Sequence, residues 1–168
     1  MSVKIEHEKF VSIAKFLDKT ESENEDYASI YSNKDDLYSM YEITDGAGGS
    51  GVFSKEWSKY LSENIPQNPS DFAYVKSQEW FNIISNGFYE DIIAKQDLSD
   101  LILQRKVFKE GSYSTLTVCW IDKHSNEIFY SSTGDSCLFY FEKLNNKFYL
   151  KAISSLNQQD DIEQAPIL

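Results

Sequence analysis

The spacing of apolar positions changes twice along the chain. Tyr27 to Ser32 and Leu37 to Thr44 carry the aromatic and β-branched enrichment of strands, and the Asn33 to Asp36 turn signal between them predicts an antiparallel hairpin. Phe53 to Leu61 shifts to helical spacing, and Pro66 and Pro69 end it. Within Asp71 to Ala94, the residues Trp80, Ile83, Ile84, Phe88 and Ile92 share one helical face. Leu98 to Phe108 is a second amphipathic stretch that groups Leu98, Leu101, Ile102 and Phe108. From Ser114 the texture returns to strands: Thr115 to Ile121, Glu127 to Thr133, Cys137 to Glu142 and Lys147 to Ile153. Turn residues separate them at Asp122 to Asn126, Gly134 to Ser136 and Asn145-Asn146. Strands, then helices, then strands predict an α+β fold in which helices cover antiparallel sheets. The first segment fits two periods, since Phe10, Ile13, Ala14 and Leu17 match a helix while Val11 and Ile13 also match a strand.

Composition narrows the function classes. The 168 residues suit one domain, 1–168, and 11 Tyr, 11 Phe and 3 Trp supply enough apolar area for a core without disulfides. Sixteen Lys+Arg against 27 Asp+Glu give a formal charge of −11, which repels nucleic acid and anionic lipid. A phosphate-bearing substrate needs bound cations or a nest of backbone N–H groups to approach such a chain. No apolar run reaches the roughly 18 to 20 residues that span a bilayer, and charged residues from Lys4 to Glu8 occupy the place of a signal peptide's apolar stretch. Cys119 and Cys137 make no disulfide framework and read as small hydrophobes in a reducing cytoplasm. His7 and His124 are too isolated for a zinc site.

Four of the seven glycines fall between Gly46 and Gly51, directly after Asp45. A Walker A loop is excluded, because Val52 and Phe53 stand where the lysine and hydroxyl would have to hold phosphate and Mg²⁺. The dinucleotide pattern Gly46-x-Gly48-x-x-Gly51 follows a strand and opens a helix. It would, however, set Asp45 against a pyrophosphate, and Asp71 opens a helix where an acid-tipped parallel strand is required. A third reading makes Asp45 the point of the motif: a strand delivers a carboxylate to the sheet end, and glycine lets the following backbone expose a carbonyl beside it. Hard divalent cations seek such oxygen clusters. The plainer alternative is a glycine-rich turn with a solvated aspartate.

Two further acidic signals share the strand-end context, Asn24-Glu25-Asp26 and Gly134-Asp135-Ser136. Together with Asp45-Gly46-Ala47-Gly48-Gly49 and the Gly111 to Thr115 stretch, in this order around a helical middle, the chain resembles the protein phosphatase 2C family of metal-dependent Ser/Thr phosphatases. The resemblance runs from about Phe10 to Ile153 and favours a strand for the first segment. It implies a sandwich of two antiparallel sheets flanked by helix pairs, and Mn²⁺ or Mg²⁺ as cofactor, with two ions in the complete domain. It implies further that the Asp45 carboxylate bridges the ions and the Gly46 carbonyl ligates one. Glu25 would hold a metal-bound water with Asp26 in support, and Asp135 would lie at the edge of the centre. The activity so implied is hydrolysis of a phosphorylated protein by metal-activated water, a chemistry that needs no cysteine nucleophile.

The chain departs from the family in three places. Glu21 stands where an arginine often clamps the phosphate, and Ala47 where some members carry a histidine acid. The family's late metal-ligating aspartates have no counterpart in strand context, because Asp160 and Asp161 read as loop. The expectation is a domain incomplete at its C-terminus, either part of a longer phosphatase or a short form unable to assemble the full centre. Missing strands would leave an exposed sheet edge that favours self-association. A catalytically inactive regulatory or binding module on the same scaffold is the alternative.

Overall fold

A computed structural model describes residues 25–47, 51–72 and 74–153. The ambiguous first segment, Glu21, Gly48, Gly49, Asp160 and Asp161 lie outside these residues. The architecture is α+β: the described residues form three α-helices, a four-stranded antiparallel sheet and a separate two-stranded antiparallel sheet. The elements in chain order are β1 (Tyr27–Tyr31), β2 (Tyr38–Thr44), α1 (Ser54–Glu63), α2 (Tyr74–Asp91), α3 (Leu101–Lys109), β3 (Leu116–Asp122), β4 (Ile128–Thr133), β5 (Phe139–Leu144) and β6 (Lys147–Ile153). Short 3-10 turns, Pro69–Phe72 and Ile93–Lys95, bracket α2. Among the described residues no helix is long and apolar enough to cross a membrane.

The larger sheet runs β1-β2-β3-β4. The hairpin expected from the Asn33 to Asp36 turn is present, with Tyr27 opposite Thr44 and Tyr31 opposite Met40. β2 then pairs with β3 across seventy-odd residues of chain, Met40 facing Trp120 and Ile43 facing Thr117. The small sheet is a β5–β6 hairpin closed by Asn145 (φ 50°) and Asn146 (φ 61°), the doubly left-handed turn that matches strand twist.

Two hydrophobic clusters hold the helices to one face of the larger sheet. Met40, Leu116, Val118 and Trp120 project from the strands onto Ile65, with Phe72 and Trp80 beside them. Trp57 and Leu61 of α1 meet Ile84 and Phe88 of α2 and Ile93, and Trp80 borders this cluster as well. Each fully buried side chain of this size stabilises the fold by about 1.5–3 kcal/mol. The connection after α1 is fixed by both indoles: Trp80 Nε1 donates to the Asn64 carbonyl (2.9 Å) and Trp120 Nε1 to the Pro66 carbonyl (3.0 Å).

Helix starts and ends follow local chemistry. Asp100 caps α3, its carboxylate accepting from Ile102 N (2.7 Å) and Leu103 N (3.4 Å), while Lys106 and Lys109 sit in the last turn where the helix dipole favours cations. The helical faces differ from the apolar pattern in two places. Ile84 and Phe88 are buried as their spacing predicts, but Ile83 points outward. α3 buries none of its residues, and Leu101, Ile102 and Phe108 are exposed. Spacing groups these residues on a face but does not dictate that another element covers it.

Candidate functional site

One end of the four-stranded sheet collects the described parts of the motifs singled out in the sequence. Glu25 and Asp26 precede β1, Asp45 and Gly46 follow β2, Ser114 and Thr115 lead into β3, and Gly134 to Ser136 follow β4. Antiparallel pairing dictates this: the start of β1 lies beside the end of β2, the start of β3 beside that, and the end of β4 beside the start of β3.

Hydrogen bonds lace these ends together. Gly46 N donates to the Glu25 carbonyl (3.3 Å), Thr115 N to the Asp45 carbonyl (2.9 Å) and Ala47 N to the Tyr113 carbonyl (3.0 Å). Gly46 also bridges to Ser114, extending the ladder past the named strands. The Thr115 hydroxyl accepts from Asp45 N (3.2 Å) and lies 2.6 Å from the Ser136 hydroxyl. A single side chain thereby ties the Asp45 backbone to the 134–136 loop. Thr44, one residue earlier, donates its hydroxyl to the Ser58 carbonyl of α1 at 3.1 Å.

Two glycines are required by geometry here. A Cβ on Gly46 would stand 2.7 Å from the Glu25 carbonyl oxygen and 2.8 Å from that of Ser54, both backbone atoms that cannot rotate away. Gly134 has φ +95°, and a Cβ there would lie 2.7 Å from Thr115 Cγ2. Close backbone approach at the first and a left-handed turn at the second bring the motifs together.

Sequence reasoning missed the part played by α1. Ser58 Oγ donates to the Glu25 carbonyl and Ser54 Oγ to the Ala47 carbonyl (3.1 Å), so the first turns of α1 hold both flanks of the acidic end. Ser54, Ser58 and Ser62 recur every four residues and all three are buried. That spacing was visible in the sequence as a serine stripe along one helical face.

The carboxyl-bearing residues are half-buried at Glu25, Asp26 and Asp45, whereas Asp135 is exposed. Carboxylates with the Gly46 carbonyl are hard oxygen donors, the type Mg²⁺ and Mn²⁺ take. Their number falls short of a cage. Among the described residues no group of three or more His, Cys, Asp or Glu side chains is disposed to hold a metal ion. The backbones converge, then, but the described acidic side chains do not by themselves gather as a metal site. Comparisons with protein-family models, with curated proteins and with solved structures give no match.

Proposed function

We propose that this chain is a metal-dependent phosphoprotein phosphatase of the 2C type, whose described portion furnishes one side of a Mn²⁺ or Mg²⁺ centre and whose other ligands come from outside the described residues. What carries the reading is the lacing of Glu25, Asp45, Gly46, Thr115 and Ser136 at one sheet end, residues spread over more than a hundred positions of sequence. The four-stranded sheet with its helices would be half of the two-sheet sandwich that goes with this family.

Bound divalent ions supply an activated water and neutralise phosphoryl oxygens in such centres. The chain's own part is positional. Thr115 and Ser58 fix the Asp45 and Glu25 backbones at one sheet end, and the close fit at Gly46 keeps β1 and β2 in step. A net charge of −11 opposes the approach of a phosphomonoester, which bound cations would offset.

The alternative, a phosphatase-like module that binds without turnover, is favoured by the absence of three converging acids among the described residues. Calorimetric titration with Mn²⁺ and hydrolysis of p-nitrophenyl phosphate separate the two. The phosphatase reading expects weak saturable Mn²⁺ binding, at least tenfold weaker in Asp45→Asn, with slow Mn²⁺-dependent hydrolysis. Binding without hydrolysis selects the module, and Mn²⁺ binding that ignores Asp45→Asn removes the site.

A further inference from the structure

The two cysteines, one on β3 and one just after β4, border the same cavity. It occupies about 470 Å³ on the sheet face away from the helices and is lined by Ile30, Ile43, Thr117, Cys119, Cys137 and Leu138, among others. The chain reaches it by a defined path. After β4 it turns at Gly134 and folds back across its own sheet: Ser136 Oγ meets Thr115 Oγ1 (2.6 Å), and the Ser136 carbonyl accepts from Thr117 Oγ1 (3.1 Å) and Ser132 Oγ (2.8 Å). Thr115 and Thr117 alternate with the core residues of β3, and the next position on that side is Cys119. The crossing segment thus steps from Thr115 to Thr117, and its next residue, Cys137, is carried toward Cys119.

We propose that Cys119 and Cys137 are an oxidation-sensitive thiol pair, whose disulfide fastens the 134–138 crossing to strand β3.

The environments divide the roles. Burial pushes the Cys119 thiol up to about 11, so it stays protonated and shielded. Cys137 is half-buried, and its thiol donates to the Asp135 carbonyl (3.4 Å), leaving it the sulfur an oxidant meets first. A peroxide oxidises the Cys137 sulfur to a sulfenic acid, the O–O bond breaking and one water leaving. The Cys119 sulfur then attacks that sulfur, the S–O bond breaks, and a second water departs with the Cys119 proton. Two thiols and one peroxide become one disulfide and two waters. Cys137 gives up the Asp135 carbonyl in the process, so the state of the pair is transmitted to the loop bearing Asp135. Any consequence for phosphate chemistry rests on the function proposed above, but the thiol pair does not.

Hydrogen peroxide on the whole chain tests this. The monomer should lose about 2 Da, the two thiol hydrogens, reversibly with dithiothreitol. Proteolysis without reductant should yield the Cys119 peptide joined to the Cys137 peptide. Hydrogen exchange at the amides of 134–138 should slow at least tenfold in the oxidised protein. In Cys119→Ser the mass loss should vanish and Cys137 should gain oxygen instead. Oxidation confined to Cys137 in the unsubstituted chain, or a cross-link only between two chains, overturns the pairing, and unchanged exchange at 134–138 overturns the fastening. None of these readouts depends on Mn²⁺, so failure of the phosphatase reading leaves them intact.

Discussion

The two faces of the four-stranded sheet are built on the same strands and behave differently. Toward the helices point Met40, Glu42 and Thr44 of β2 and Leu116, Val118 and Trp120 of β3, all less than a tenth exposed. On the other side Ile30 and Ile43 are 42% and 43% exposed, and the 134–138 crossing and the cysteine cavity lie there. The motif residues belong to neither face but to the sheet's end. Stability is therefore concentrated in one layer, while the candidate chemistry depends on how strand ends are tied. The two should respond to different substitutions.

The largest effect is expected in the buried layer. Trp120 is almost wholly buried, packs on Phe72 and donates to the Pro66 carbonyl. Trp120→Ala should cost about 3–5 kcal/mol in urea denaturation, through lost burial and a cavity. A cost under about 1 kcal/mol would mean that this face is not the one holding the fold.

The end of the sheet should be next. Gly46→Ala drives a methyl between two backbone carbonyl oxygens and should destabilise by about 2–3 kcal/mol. It should also weaken Mn²⁺ binding beyond what the stability loss explains, since β1 must shift and move Glu25 with it. Gly134→Ala strains a left-handed turn and presses on Thr115, with a cost of about 1–3 kcal/mol. Equal Mn²⁺ affinity in all three proteins would sever the link between strand-end geometry and metal binding.

Much of this was legible in the sequence, for identifiable reasons. Alternation and turn residues were enough for the β1–β2 hairpin and the four later strands, and Lys147 to Ile153 coincides with β6. The meeting of Glu25, Asp45 and Gly134 to Ser136 was readable only through a family resemblance, because no local rule says that β3 pairs with β2 rather than with another strand. Helix burial was not legible from spacing alone. Ile83, Leu101 and Ile102 have apolar spacing, but burial depends on what the chain sets against them, a tertiary fact absent from periodicity. The serines of α1 escaped notice because polar residues at helical spacing ordinarily mark a solvated face.

A smaller effect probes the polar part of the buried layer. Glu42 is 6% exposed, hydrogen-bonded to Ser62 of α1, and burial raises its carboxyl above the ordinary glutamate range. Between the ordinary value and the raised one, the folded state therefore holds a proton that the unfolded state has released. Stability contributed by this group is full below the ordinary glutamate range and declines as pH rises through the raised value. Glu42→Gln keeps a hydrogen-bonding side chain without the buried charge. At pH 8 it should be more stable than the parent by about 1 kcal/mol, the advantage fading toward pH 4. A pH-independent difference between the two proteins would remove titration of Glu42 as the cause.

The smallest effect decides whether the two faces differ as much as they look. Ile43 sits in β2 between buried Glu42 and Thr44, but on the outward side and across from Thr117. Ile43→Thr keeps the β-branched shape that suits a strand and removes apolar area from a side chain that is 43% exposed. Its cost in urea denaturation should stay within about 0.5 kcal/mol, several-fold below Trp120→Ala on the neighbouring strand. A cost above about 1.5 kcal/mol would mean that Ile43 is covered in solution, by another part of the chain or by a second copy. The outward face would then be a second core layer, and the Cys119–Cys137 cavity would be roofed as well as walled. Peroxide reactivity of Cys137 should fall in step, so the two measurements check each other without sharing an assumption about metal or phosphate.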